Sequence, residues 1–271
     1  MVRDITLGQF MPGRSLIHRL DARSKILMLL AIIVFIFVAN NYMALLLITL
    51  TSMLIVLMTK ISFRLYLKSM KVILVVVIFT GLINLFYGKG EVLWEWQFFR
   101  ITEGGINNAI FVIIRIATLV LISSVLTFTT SPTDLTDAIE RLLKPLKLFH
   151  IKVHEIAMMM TIALRFIPVL LEETDKIMNA QKARGADMES GGVVKRVKAL
   201  IPVLIPLFVS SFRRANDLAM AMECRCYNGG KGRTRMKVLH FSLKDLWASL
   251  FLLVVFAGVI FCNIYFPATV R

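Results

Sequence analysis

The sequence predicts an all-α integral membrane protein. It reads as about five transmembrane helices plus long cytoplasmic or interfacial helices between the fourth and fifth spans. Three observations carry this. The 271 residues are 58% hydrophobic, more than the core of a soluble domain of that length requires. The apolar residues gather in runs that approach the roughly 20 residues a bilayer-spanning helix needs. The 32 Lys and Arg against 17 Asp and Glu, a net charge of +15, then demand a strongly basic water-facing part. Disorder is excluded by the hydrophobicity, and a soluble nucleic-acid binder by the apolar runs.

Residues 1–25 are polar and basic and are not expected to form a cleaved leader. Ile26 to Val38 and Tyr42 to Met58 are free of charge and separated only by Ala39-Asn40-Asn41, so they read as a helical hairpin. Val72 to Phe86 is the third span and Ile106 to Phe128 the fourth, the latter interrupted by Arg115; Leu246 to Phe266 is the last. Basic residues favour the cytoplasmic side. Arg3, Arg14, Arg19, Arg23 and Lys25 precede the first span, and Lys60, Arg64, Lys68 and Lys71 follow the second. The segment 87–105 is acidic by comparison and holds Trp94 and Trp96, which suit the outer interface. The expected location is the cell (plasma) membrane, multi-pass, with a cytoplasmic N-terminus and an outside C-terminus. Three cysteines, at 224, 226 and 262, are too few for a disulfide framework.

Three regions follow: 1–128 with four transmembrane helices, 129–245 as a cytoplasmic or interfacial region, and 246–271 as the last helix with a short outside tail. The middle region holds 19 of the basic and 12 of the acidic residues, yet it contains apolar runs suited to helices lying in the interface. Ser131-Pro132 with Asp134 marks a helix start, which predicts a helix to Leu143. Two longer helices follow, Val153 to Arg184 with Pro168, and Val193 to about Arg225 with Pro202 and Pro206. They share a plan: an apolar half containing Pro, a polar half, and a close on small-Arg-small. The closes, Ala183-Arg184-Gly185 and Cys224-Arg225-Cys226, lie 41 residues apart. An arginine at a helix end is accounted for by the negative end of the helix dipole. Two matched ends with small neighbours also suit a guanidinium that enters a pocket on another protein.

Arg115 reads as functional or as structural. His150, His154 and Glu155 place two imidazoles four residues apart, but no further metal ligand accompanies them. The Met158–Met160 run reads as packing surface. There is no phosphate-binding G-x-x-x-x-G-K-[ST] loop, no nucleophile elbow and no acidic cluster in the spans. Any energy for active transport therefore has to come from outside the chain.

The segments Leu164-Arg165-Phe166-Ile167-Pro168, Ala180-Gln181-Lys182-Ala183-Arg184-Gly185 and Ala221-Met222-Glu223-Cys224-Arg225-Cys226-Tyr227 closely resemble the transmembrane T component of energy-coupling factor (ECF) transporters, the EcfT family. The Asp21-Ala22-Arg23-Ser24-Lys25 lead and the Thr130-Ser131-Pro132 helix start belong to the same match. The resemblance implies a non-catalytic scaffold with coupling helices between the fourth and fifth spans. Its implied partners are two ABC-type ATPase subunits, read as a heterodimer, and a substrate-binding membrane S component that topples to release vitamins or other micronutrients inside. Several S components exchanging on one T component fit the Gly229 to Lys237 tail. It implies that Ala183, Arg184, Gly185, Cys224, Arg225 and Cys226 dock the ATPases. It also implies that the apolar faces of the helices hold the S component, for which Met158, Met159, Leu164, Leu204 and Leu207 are the candidates. ATP and Mg would be used by the partners, with no cofactor or metal on this chain. The family commonly has Ala or Ser before the second arginine and Gly after it, where this sequence has Cys. Two other readings stay open: a membrane-bound enzyme acting on phosphorylated lipid intermediates, and a basic membrane anchor.

Overall fold

The computed structural model describes residues 10–86, 92–96, 99–186, 192–229 and 240–266. The expectations placed on residues 1–9, on the Gly-rich run from Gly230 and on the tail after Phe266 lie outside them, as do the side chains of Trp94 and Trp96. In chain order the helices are α1 (Ala22–Val38), α2 (Tyr42–Thr59), α3 (Phe63–Phe86), α4 (Glu103–Thr129), α5 (Pro132–Leu142), α6 (Val153–Ala183), α7 (Val193–Glu223) and α8 (Leu243–Tyr265). A 3-10 turn, Lys144–Phe149, separates α5 from α6. Between α3 and α4 lies an antiparallel pair, β1 (Val92–Trp96) and β2 (Phe99–Thr102), with Val92 opposite Thr102 and Trp96 opposite Phe99. The sequence reading has only a loop there.

Four helices, α2, α4, α6 and α8, are long and apolar enough to cross a membrane. A fifth is α3 if its two arms, Phe63–Lys71 and Ile73–Leu85 at 58°, count as one span. Besides the strand pair, and α3, which begins at Phe63 ahead of the expected Val72, two elements differ from expectation. The first expected span forms a helix of 17 residues, one short of that length. The second is α6, which forms over Val153–Ala183 with Pro168 inside it as expected, but which is long and apolar enough to cross a membrane and not only to lie in the interface.

Residues 136–229 form one compact unit, and residues 10–135 with 240–266 form the other. In the second unit the core joins Ile32, Phe35 and Ile36 of α1, Ile48 and Val56 of α2, Ile122, Val125 and Phe128 of α4, and Leu252 and Val259 of α8. Phe35 stacks on Phe256 with ring centroids 4.4 Å apart, and fully buried Tyr66 meets Phe128 edge-on. The outer faces are equally apolar. Leu27, Leu30, Val34 and Phe37 follow one another at helical spacing along α1 and are all exposed, as suits lipid. At Gly105 a Cβ would stand 2.5 Å from the Leu85 carbonyl oxygen, so α4 begins against the end of α3 only because that residue is Gly.

Polar side chains close the helix ends. Lys25 Nζ donates to the Thr129 carbonyl at 2.9 Å, which ties the start of α1 to the end of α4. Asp245 accepts from the Asp21 N–H at 2.9 Å and from the Ser242 N–H at 2.8 Å, so one buried carboxylate joins α1 to α8 and completes the cap of α8. Asp21 in turn holds Arg23, whose guanidinium lies over the ring of Phe241. At the other end of α1, Asn263 donates to the Val38 carbonyl at 2.7 Å, and Arg115 donates to the Ala39 carbonyl at 2.7 Å. Arg115 also rests over Phe111. It places a cation on the negative end of α1.

Removing the Asp245 carboxylate leaves the N–H groups of Asp21 and Ser242 without their acceptor in a buried place. Asp245→Ala should lower stability by about 2–3 kcal/mol, read as a drop in the thermal unfolding midpoint of the purified protein in detergent; Ser249→Ala, on the same helix, should leave it unchanged.

Candidate functional site

In the unit of residues 136–229, α6 and α7 lie antiparallel. Gln181 donates to the Pro202 carbonyl at 3.3 Å, while Glu173, earlier on α6, meets Ser210 and Arg214, later on α7. The Gln181 contact has a backbone cause. Pro206, four residues after Pro202, has no N–H, so the Pro202 carbonyl lacks its helical donor and the Gln181 amide replaces it. Further along, Ile162, Phe166 and Leu170 of α6 face Leu218 and Met222 of α7 across a cleft of about 280 Å³.

Antiparallel packing sends the two arginine-bearing ends in opposite directions. Both ends have the same backbone. At the end of α6 the Gly185 N–H donates to Lys182 O at 3.0 Å and the Ala186 N–H to Gln181 O at 3.0 Å, with Gly185 at φ +86. At the end of α7 the Cys226 N–H donates to Glu223 O at 2.8 Å and the Tyr227 N–H to Met222 O at 3.0 Å, with Cys226 at φ 53. Each is a Schellman motif, and the arginine is the last residue before the left-handed turn. The small residue after each arginine thus has a conformational purpose. Among the described residues no atom lies within 4 Å of a Cβ built on Gly185, while its φ of +86 is one that favours Gly. Cys226 takes the same conformation at a cost that Gly would avoid.

Arg184 and Arg225 are exposed, and neither side chain has a hydrogen bond or ion pair among the described residues; Ala183, Gly185, Cys224 and Cys226 are exposed beside them. The other expected contact residues are more dispersed. Met159 and Leu204 are exposed, while Met158, Leu164 and Leu207 are half-buried. Leu207 shares a helical row with Val203, Ser210 and Arg214, the row turned toward α6. The exposed row of α7 consists of Val197, Ile201, Leu204, Phe208 and Phe212, with Phe208 62% and Phe212 69% exposed. Sequence reasoning named only Leu204 of these, although their spacing of three and four residues is a signal available in the sequence.

His150 lies at φ 61 after the 3-10 turn, ahead of α6, so it does not share a helix face with His154. His154 instead pairs with Glu140 of α5 at 3.0 Å. Among the described residues no group of three His, Cys, Asp or Glu is placed to hold a metal ion.

The fold is thus that of an all-α, multi-pass membrane protein with two long helices that close on matched, exposed arginines. The cobalt transport protein family CbiQ matches residues 13–237. The energy-coupling factor transporter transmembrane protein EcfT of Ruminiclostridium cellulolyticum is 55% identical over 246 residues, 91% of this chain and 92% of that protein. The protein of the same name from Clostridium kluyveri is 50% identical over 256 residues, 94% and 95% of the two chains. That of Acidaminococcus fermentans is 48% identical over 268 residues, 99% and 100%. The chain belongs to the EcfT family of energy-coupling factor transporter transmembrane components.

The strained cap gives a local test. Cys226→Gly should stabilise the end of α7 by about 1 kcal/mol, seen as roughly fivefold slower amide hydrogen exchange at Cys226 and Tyr227. Gly185→Val should speed exchange at Gly185's equivalent position and at Ala186.

Proposed function

We propose that this chain is the non-catalytic scaffold of an ECF-type importer. It couples ATP hydrolysis by two cytoplasmic ABC-type ATPases, a heterodimer, to toppling of a substrate-binding S component that brings in vitamins or other micronutrients. The observation that carries this reading is the pair of Schellman-capped arginines, alike in backbone, exposed, and set at opposite ends of an antiparallel helix pair. One such end is an ordinary helix terminus; two in one geometry fit two related partners. An arginine fixed at the last helical residue presents its five donors in one direction, which suits carboxylates and carbonyls in a groove.

Ala183, Arg184 and Gly185 form one docking triplet and Cys224, Arg225 and Cys226 the other. The S component rests on the apolar faces of α6 and α7, on Met158, Met159, Leu164, Leu204 and Leu207, and the exposed row through Phe208 and Phe212 extends that surface. ATP and Mg are used by the ATPases, and the S component selects the substrate. The basic residues before α1, after α2 and through residues 129–245 favour a cytoplasmic N-terminus and cytoplasmic docking ends, with the C-terminus outside.

The test is co-purification and uptake. Arg184→Ala with Arg225→Ala should reduce capture of both ATPases from detergent-solubilised membranes by at least tenfold and abolish substrate uptake by cells. Assembly and uptake equal to those of the unmodified protein would refute the docking role.

A further inference from the structure

The two docking ends can serve one machine only if something sets them relative to each other. Most of the contact between α6 and α7 is apolar and leaves the cleft beside Phe166 and Leu218 unfilled, and apolar contact has no direction of its own. The Gln181 amide adds one exposed hydrogen bond, to Pro202. The contact that is directional lies between Glu173, Ser210 and Arg214. Arg214 donates from Nε at 3.1 Å and from Nη2 at 2.6 Å to Glu173 Oε2, and the Ser210 hydroxyl donates to Oε1. Both oxygens of one carboxylate are engaged by α7, and the carboxylate side chain is 19% exposed.

Its position in the sequence repeat is the second observation. Glu173 and Arg214 are 41 residues apart, as are Arg184 and Arg225, so the ion pair joins equivalent points of the two repeats. Arg184 follows Glu173 by 11 residues, and Arg225 follows Arg214 by 11. Eleven residues are about three helical turns, leaving a phase difference of only ~20°, and about 16 Å of helix. Each docking arginine therefore stands about three turns beyond the pinned residue of its own helix.

We infer that Glu173, Ser210 and Arg214 are positioning residues: a polar pin between α6 and α7 that fixes their register and with it the separation of Arg184 and Arg225. The role of those arginines rests on the docking reading above; the pin itself does not. Tied there, α6 and α7 keep one register along their contact, and the docking ends keep one separation.

The experiment uses the full chain in lipid nanodiscs, with Cys224, Cys226 and Cys262 replaced by Ser and spin labels placed at exposed, equivalent Ala180→Cys and Ala221→Cys. Double electron–electron resonance reads their separation. A single narrow distance distribution is expected with the pin intact. Glu173→Gln should widen it at least twofold, Ser210→Ala should widen it by less, and Glu172→Gln, a neighbouring exposed carboxylate, should leave it unchanged. An unaltered distribution in Glu173→Gln overturns the proposal, and so does equal widening by Glu172→Gln. ATPase capture is measured in parallel on the same variants with the cysteines restored. Widened distances with at least twofold weaker capture support both the pin and the docking role. Widened distances in a protein whose unmodified form captures no ATPase support the pin and refute the docking reading.

Discussion

A backbone carbonyl in hydrocarbon has no water to turn to, and much of this structure follows from meeting that need. Helices satisfy most carbonyls internally, and the remainder lie at helix ends and at prolines. The side chains that reach them are polar and come from other elements. Lys25 serves the end of α4, while Arg115 and Asn263 serve the end of α1. On α6, Gln181 serves the carbonyl exposed by Pro206. Each of these residues also joins two elements, so the repair of the backbone doubles as the specification of which helices are neighbours.

The same logic explains which parts were legible in the sequence. The limits of α5, α6 and α7 were signalled by local chemistry: Ser131-Pro132 at one start, Gly192 at another, and small residues after each arginine. The hairpin of α1 and α2 was equally clear from its three-residue turn. Local signals do not specify partners. Nothing near Asp245 in the sequence signals its role, because that role comes from the Asp21 N–H, 224 residues away in the chain. Arg115 stayed ambiguous because its acceptor is a carbonyl, a group every residue has. The start of α3 lies ahead of its apolar run, because Arg64, Lys68 and Lys71 ride on the same helix and an apolar run marks only the part suited to lipid.

In the candidate site the two arginine triplets were visible because a repeat is visible. Their antiparallel disposition was not, since a 41-residue period is compatible with several ways of laying two helices together. The exposed row of α7 shows a further limit: hydrophobic periodicity locates a face without saying whether that face is covered. Val203 and Leu207 on one side and Leu204 and Phe208 on the other are all apolar, and only the crossing with α6 distinguishes them.

The equal spacing from the Glu173–Arg214 pair to each arginine also bears on how the gene can change. Adding one residue between Glu173 and Arg184 would swing the guanidinium by about 100° around the helix axis and lengthen one arm alone. The segment joining α6 to α7 lies outside both arms, so its length is not bound by that phase. Sequence drift in this region should therefore be uneven, with substitutions spread along the helices and gained or lost residues confined to the connection between them.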